Sequence, residues 1–369
     1  MKKILKKLML SVVAMAVVLA LVEICFVVKH GALRGLPPQE LRVHDYFYQD
    51  SAGCFRIKPK VRGWHMSYDG GGDVLVKINS DGMRSPEITK DDRARIAFVG
   101  DSIVFNGGVP WTNTFTALLE ERRAANEPDP ARQWQCLDYG MSDLGIADYY
   151  LKLRDHALKA QPSSVVLGLY VNDSRPPQGF LGESQKVPLS QWLRRSLLYR
   201  LYTVRKLHKQ VGLMRLRLNP EINRRFEWST DYQEKTYLKR PEAWNEMVEK
   251  ARYDWGAAWS EESWDYIGEH LGKIRDLCKE AGADLHVVMF PVSAQVEFET
   301  LSDDVTYPQR QARRLADEMG IAMTDLLPLL REHRGERIFA DQCHLTSRGN
   351  QIVADLLYPR LSRGASITN

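Results

Sequence analysis

The chain reads as an α/β protein built on a five-stranded parallel sheet with helices on both faces. Three observations carry that reading. From Arg93 onward, strand-like apolar runs alternate with helix-like amphipathic ones, which implies right-handed crossovers between parallel strands. The run Ile96-Ala97-Phe98-Val99 ends in Gly100-Asp101-Ser102, a turn leaving the C-terminal end of a buried strand. Far downstream, Asp341-Gln342-Cys343-His344 stands just ahead of the helix-like stretch Ser347 to Tyr358. Open parallel sheets bind ligands beyond the carboxyl ends of their strands, so Ser102 falls where chemistry is expected.

The chain divides into three parts. Residues 1–30 are a short cytoplasmic start and a transmembrane anchor. Leu8 to Val28 is almost wholly apolar and would span about 31 Å as a helix, enough for a bilayer core. Lys2, Lys3, Lys6 and Lys7 precede it, which keeps the N-terminus cytoplasmic and exports the rest. No A-x-A cleavage site follows, and the run is long for a signal peptide, so an uncleaved anchor is expected. Glu23 within the span is read as sitting near the outer interface. This places the protein in the cytoplasmic membrane, single-pass, with its folded part on the periplasmic side.

Residues 31–92 are a linker containing Pro37-Pro38 and then a small β-rich segment. Within it, Gly70-Gly71-Gly72 precedes Asp73 to Ile78, whose apolar residues alternate as in a strand. Residues 93–363 form the main domain. Its strands are expected at Arg95–Val99, Gln135–Tyr139, Ser164–Tyr170, Asp284–Phe290 and Ile321–Thr324. Its helices are expected at Phe115–Arg123, Ala147–Leu158, Trp264–Ala281, Gln309–Met319 and Ser347–Leu357.

An insertion of about ninety residues, 174–262, interrupts this pattern, far beyond an ordinary connection. Gln185 to Pro220 has no acidic residue and carries Arg194, Arg195, Arg200, Arg205, Lys206 and Lys209. Leu193, Leu197, Leu201, Val204 and Val211 recur at helical spacing, so it reads as a basic amphipathic helix, either a lid, a membrane-surface element or a helix on the sheet edge. Phe226 to Tyr266 is dense in aromatics, among them Trp228, Tyr232, Tyr237, Trp244, Trp255, Trp259 and Trp264. Flat aromatic faces suit sugar rings, so Trp255 and Trp259 are candidate platform residues, with core packing as the competing expectation.

Composition narrows the function classes. Hydrophobic residues are 44% and charged residues 27% of 369, which makes the chain globular. The net charge of +4 and the expected export argue against a nucleic-acid partner. Five cysteines show no C-x-x-C pair or metal spacing, so no metal and no cofactor is expected. Cys343 is a poor nucleophile for His344, because sequence neighbours point apart.

Ser102 needs a base, since a free hydroxyl is hardly ionised at neutral pH. His344 can take its proton and return it to a leaving group, and Asp341 can hold the imidazole in the right tautomer. Val165 to Val171 reads as a buried strand ending in Asn172-Asp173, which puts the Asn172 amide at the same sheet edge as a donor to an oxyanion.

These elements resemble the SGNH or GDSL hydrolase superfamily over about Arg93 to Leu361, the insertion excepted. The resemblance implies a flavodoxin-like three-layer α/β/α sandwich without a cofactor. It implies Ser102 as nucleophile, Asp341 and His344 as its triad partners, and Ser102 and Asn172 in the oxyanion hole. Tyr170 stands where the family has a glycine before that asparagine. The family's N-x-G-x-x-G block corresponds to Asp138-Tyr139-Gly140-Met141-Ser142-Asp143, so Asp143 takes the place of the glycine that donates a backbone N–H.

An anchor followed by a β-rich collar and then Gly-Asp-Ser is similar to membrane-anchored bacterial members linked to acylation of envelope polysaccharides. The expected function is a serine esterase removing acyl, chiefly acetyl, groups from an envelope carbohydrate. An O-acyltransferase on the same triad and a non-catalytic scaffold of an export complex are the alternatives. Expected partners are the ester substrate, the membrane and a membrane protein.

Overall fold

The computed structural model describes residues 2–29, 42–174, 211, 226–240, 242–298 and 303–364. The Pro37-Pro38 linker and almost all of the basic stretch from Leu193 to Val211 lie outside these residues. The chain opens with α1 (Lys2–Lys29). Among the described residues no helix is long and apolar enough to cross a membrane. The span expected over Leu8 to Val28 includes α1 positions whose side chains are outside the described set.

The collar is two antiparallel hairpins: β1 (Phe47–Gln49) with β2 (Phe55–Ile57), and β3 (Arg62–His65) with β4 (Val74–Lys77). The expected strand after Gly72 is β4. The main domain follows as β5 (Ala94–Val99), α2 (Ser102–Phe105), α3 (Phe115–Asn126), β6 (Trp134–Asp138), α4 (Ile146–Asp155) and β7 (Ser164–Tyr170). After the insertion, with α5 (Ser229–Gln233) and α6 (Glu242–Lys250), come α7 (Glu261–Glu280) and β8 (Asp284–Phe290). The chain ends through α8 (Ser293–Glu297), α9 (Asp303–Met319), β9 (Ala322–Asp325), α10 (Leu326–Arg331) and α11 (Ser347–Gly364).

The sheet order is β6-β5-β7-β8-β9, all parallel. The chain leaves β5 to one side and returns to the other, so the strand order reverses beside β5, and ligand crevices form at such reversals. All five expected strands are present, with ends shifted by a residue at most. β5 and β7 read as continuous apolar runs because helices cover both faces. Ile96, Ala97, Phe98 and Val99 are buried, as are Val165, Val166, Leu167 and Leu169. Every apolar group in these runs is therefore removed from water, and the strand ends are rigid mounts for the residues that follow them.

Candidate active site

Ser102 is the first residue of α2. Asp101 caps that helix by accepting the Ile103 N–H at 2.8 Å, and Ser102 thereby sits at a helix start whose N–H groups are not used within the helix. The turn around it is tight. A Cβ on Gly140, in the loop after β6, would come within 2.3 Å of the Phe105 nitrogen, so only glycine lets the two backbones approach.

His344 and Asp341 do not sit directly on the end of β9. α10 intervenes, and the pair occupies a turn closed by the Phe339–Leu345 bridge. From there His344 Nε2 lies 2.9 Å from Ser102 Oγ, and His344 Nδ1 lies 2.7 Å from Asp341 Oδ2. Asp341 Oδ1 accepts the backbone N–H of Cys343 at 3.0 Å and of His344 at 2.9 Å. The carboxylate is thus fixed by its own turn. The two ends of the site are tied together by Asn106, whose Nδ2 donates to Asn350 Oδ1 at 2.6 Å, so the end of α2 is held against α11.

The electrostatics follow the geometry. Burial opposes a charge on His344, but the hydrogen bond and charge of Asp341, with Asp101 and Asp143 nearby, outweigh it and raise its pKa above the ordinary value. Burial opposes ionisation of Asp341 too. Its hydrogen bonds from the imidazole and two backbone N–H groups win, and its pKa falls below the usual range. Asp341, Cys343 and His344 bring donor atoms within 4.8 Å of one another. Burial pushes the Cys343 thiol well up, and Nδ1 of His344 is taken by Asp341, so the group suits proton transfer rather than metal binding.

Asn172 is half-buried in the turn after β7. Asp173 shapes that turn: its carboxylate accepts the Tyr170 N–H and the Tyr149 hydroxyl, both at 2.7 Å. Tyr170 is buried, and its bulk is absorbed by the core. The Asn172 amide Nδ2 lies 3.5 Å from Asp254 Oδ1, a buried carboxylate contributed by the insertion. Asp143 has a φ of +65°. It adopts the left-handed conformation that glycine takes freely and that Asp tolerates better than most residues. Its carboxylate stays close enough to act on the imidazole.

The aromatic part of the insertion is a wall. Trp228, Trp244, Trp255 and Trp264 are buried. Trp244 packs edge-on to Trp259 at 5.7 Å and stacks on Phe298 at 5.4 Å. Trp255 has no exposed surface and offers no face to a sugar, whereas Trp259 is half-buried. The wall still touches the site, since the Tyr232 hydroxyl meets Ser293 Oγ at 2.6 Å and the Ser293 N–H donates to Gln342 O at 2.8 Å.

Sequence reasoning expected the β-rich collar but not its residues at the site. Tyr68, from the β3–β4 loop, stacks on His344. Arg84 is buried and donates to the backbone oxygens of Phe105, Asn106 and Val109, which pins the loop after α2. A cleft of about 1120 Å³ lies beside the collar, lined by Trp64, Asp69, Asp73, Arg84, Trp111 and Thr112 among others. No sequence period marks these residues; the only hint was a run of small, polar turn residues between short strands.

No family model matches the chain, and no curated protein matches it. Among solved structures it is similar to the acetyl xylan esterase AlAXEase, at 15% identity over 72% of this chain and 99% of that one, with a TM-score of 0.41. It is similar to the lipase/acylhydrolase from Enterococcus faecalis, at 13% identity over 73% and 96%, TM-score 0.41. It is also similar to a lipolytic G-D-S-L family protein from Veillonella parvula, at 13% identity over 73% and 99%, TM-score 0.38. The Gly-Asp-Ser turn after β5 and the Asp-x-x-His turn before α11 thus meet at one edge of a five-stranded parallel sheet in a layered α/β fold.

Proposed function

We propose that this chain is a serine esterase that removes acyl groups, acetyl first among them, from a carbohydrate of the cell envelope. The hydrogen-bonded series Ser102, His344, Asp341 at the sheet edge carries the reading. Ser102 Oγ gives its proton to His344 Nε2 as it attacks the ester carbonyl. The imidazolium, stabilised by Asp341, then protonates the leaving alkoxide, and an acyl-Ser102 ester remains. His344 next takes a proton from water, hydroxide adds to the acyl carbon, and the acid and free Ser102 are released. The Ser102 N–H and the Asn172 amide are the oxyanion donors. With substrate bound, Asn172 Nδ2 exchanges its long contact to Asp254 for the developing oxyanion.

A carbohydrate substrate is supported by the cleft beside the collar, where the half-buried Trp64 and Trp111 share a wall with charged and hydroxyl groups. Sugar rings present apolar faces and a polar rim, and such a wall meets both. Anchoring in the cytoplasmic membrane is supported by α1, whose Leu10, Val13, Val17, Leu21 and Ile24 are exposed, and by the lysines that precede them.

The test is labelling by a fluorophosphonate probe together with release of acetate from an acetylated glycan. Wild type should be labelled, and Ser102→Ala and His344→Ala should lose both signals, about 10⁶-fold in turnover. Undiminished ester hydrolysis by Ser102→Ala overturns the mechanism. Transfer of acetyl to added glycan, without free acetate, would move the reading to an O-acyltransferase.

A further inference from the structure

The triad leaves one freedom in its base. Hydrogen bonds at Nδ1 and Nε2 both lie in the imidazole plane, so the ring can still rock about the line joining them. Tyr68 occupies one face of that ring, with centroids 4.7 Å apart and planes at 21°. It is 5% exposed and firmly held. The Tyr68 N–H donates to Gly108 O at 2.8 Å, and a Cβ on Gly108 would come within 2.3 Å of the Tyr68 ring. The next residue, Asp69, accepts the Ser347 N–H at 2.8 Å and the Ser347 hydroxyl at 2.5 Å, which clips the collar to the start of α11.

Behind Tyr68 the contacts continue. His65 meets it edge-on at 5.3 Å, and His44 lies 5.1 Å from His65. His44 Nε2 reaches Ser142 Oγ at 3.2 Å, in the loop that carries Asp143. Burial, then the neighbouring positive charges, push His44 down to about 4, and burial with the His44 charge does the same to His65, so both are neutral at physiological pH. The groups around His344 are therefore three carboxylates (Asp341, Asp101 and Asp143), the Cys343 thiol, the Ser102 hydroxyl and the face of Tyr68, with the two neutral imidazoles behind that ring.

We propose that Tyr68 is a positioning residue for His344, its ring stopping the imidazole from rocking out of line with Ser102 and favouring the imidazolium formed as Ser102 loses its proton. This rests on the esterase reading. An aromatic face carries partial negative charge and attracts a cation more than a neutral ring, so the contact strengthens on the way to the transition state. Tyr68 thus acts on turnover rather than on substrate affinity.

The experiment compares Tyr68→Phe with Tyr68→Leu in the full chain. Two measurements are made: kcat and KM for a small aryl acetate, and the titration of His344 by NMR with isotope-labelled histidine. Tyr68→Phe keeps the ring face and should stay within about twofold of wild type. Tyr68→Leu should lower kcat about three- to thirtyfold at unchanged KM. It should also move the His344 titration, and the acidic limb of kcat, to lower pH. A Tyr68→Leu chain that matches Tyr68→Phe in both measurements overturns the proposal and leaves Tyr68 as packing. Should Tyr68→Leu fail to fold, Tyr68→Met, which fills the same space flexibly, is judged by the same two criteria. The NMR titration needs no substrate, so it decides the role of Tyr68 even if the wild-type chain takes no fluorophosphonate and the esterase reading itself fails.

Discussion

The collar and the aromatic insertion invert what their compositions suggest. The insertion holds a dense cluster of Trp and Tyr and looks like a binding surface, yet Trp228, Trp244 and Trp255 are buried in each other and in the domain. The collar looks like a spacer ahead of the main domain, yet it delivers Tyr68 to His344, Asp69 to Ser347 and Arg84 to the loop after α2. The lesson is that aromatic density reports buried area, while contact with chemistry depends on which loop ends beside the sheet edge.

The sharpest way to break that contrast is to wound each region and read stability and turnover separately. Trp255→Ala should cost about 3–5 kcal/mol of stability, as large buried aromatics do. Denaturant midpoints would report it, and kcat for a small ester should stay within about twofold under native conditions. A large loss of kcat with little loss of stability would make the insertion part of the catalytic apparatus after all.

Asn172 lies where the two regions compete. Asn172→Ala should lower kcat by about 10²–10³ with KM little changed, the usual cost of one oxyanion donor. The companion variant Asp254→Ala removes the insertion's hold on that amide. Steady-state kinetics on both would show whether the insertion merely parks Asn172. Equal losses in the two variants would mean that Asp254 orients it.

For the collar, Gly108→Ala drives a methyl group into the Tyr68 ring and so displaces the face that supports His344. Small misplacements of catalytic groups are expensive, and kcat should drop about 10²-fold. The thermal midpoint should fall as well, since overpacking a filled site costs about 1–3 kcal/mol. Full activity in Gly108→Ala would detach the collar from catalysis.

The smallest effect concerns a buried charge that the collar also touches. Asp138, at the end of β6, is fully buried. Burial pushes its pKa up to about 7, against the opposing pull of Arg84 and the Gly140 N–H. The folded state therefore binds this proton more tightly than the unfolded chain. Its contribution to stability is complete below the unfolded value and is lost as pH rises towards about 7. Wild type should lose about 2 kcal/mol between about pH 5.5 and 7 from this group, whereas Asp138→Asn should not. Urea midpoints across that range check it, and parallel slopes for the two proteins would dismiss the effect.

Much of this molecule was legible because local chemistry and global fold agree. Five apolar runs became five strands, since a parallel sheet covered on both faces needs unbroken hydrophobic stretches. Ser102, Asp341 and His344 were legible because strand ends and turns put them at one edge, although α10 between β9 and the histidine was not foreseen. Asp143 was visible as a departure, but its φ of +65° and its pull on His344 needed coordinates. Tyr68, His44 and Asp254 left no signal. Each reaches the site from a short turn or loop, where no periodicity links it to its partner. Burial of Trp255 was undecidable from composition, since a stacked core and a binding platform use the same residues.

The clip between Asp69 and Ser347 joins positions 278 residues apart, and Ser102 and His344 are 242 apart. Loops of that length close late, after the local strands and helices have formed. The hydroxyl and its base cannot meet until these distant segments have packed together. Competence arrives in one step, when α11 docks and brings the preceding turn with it. Ser102 and its base are thus brought together by long-range packing and by no local segment of the chain.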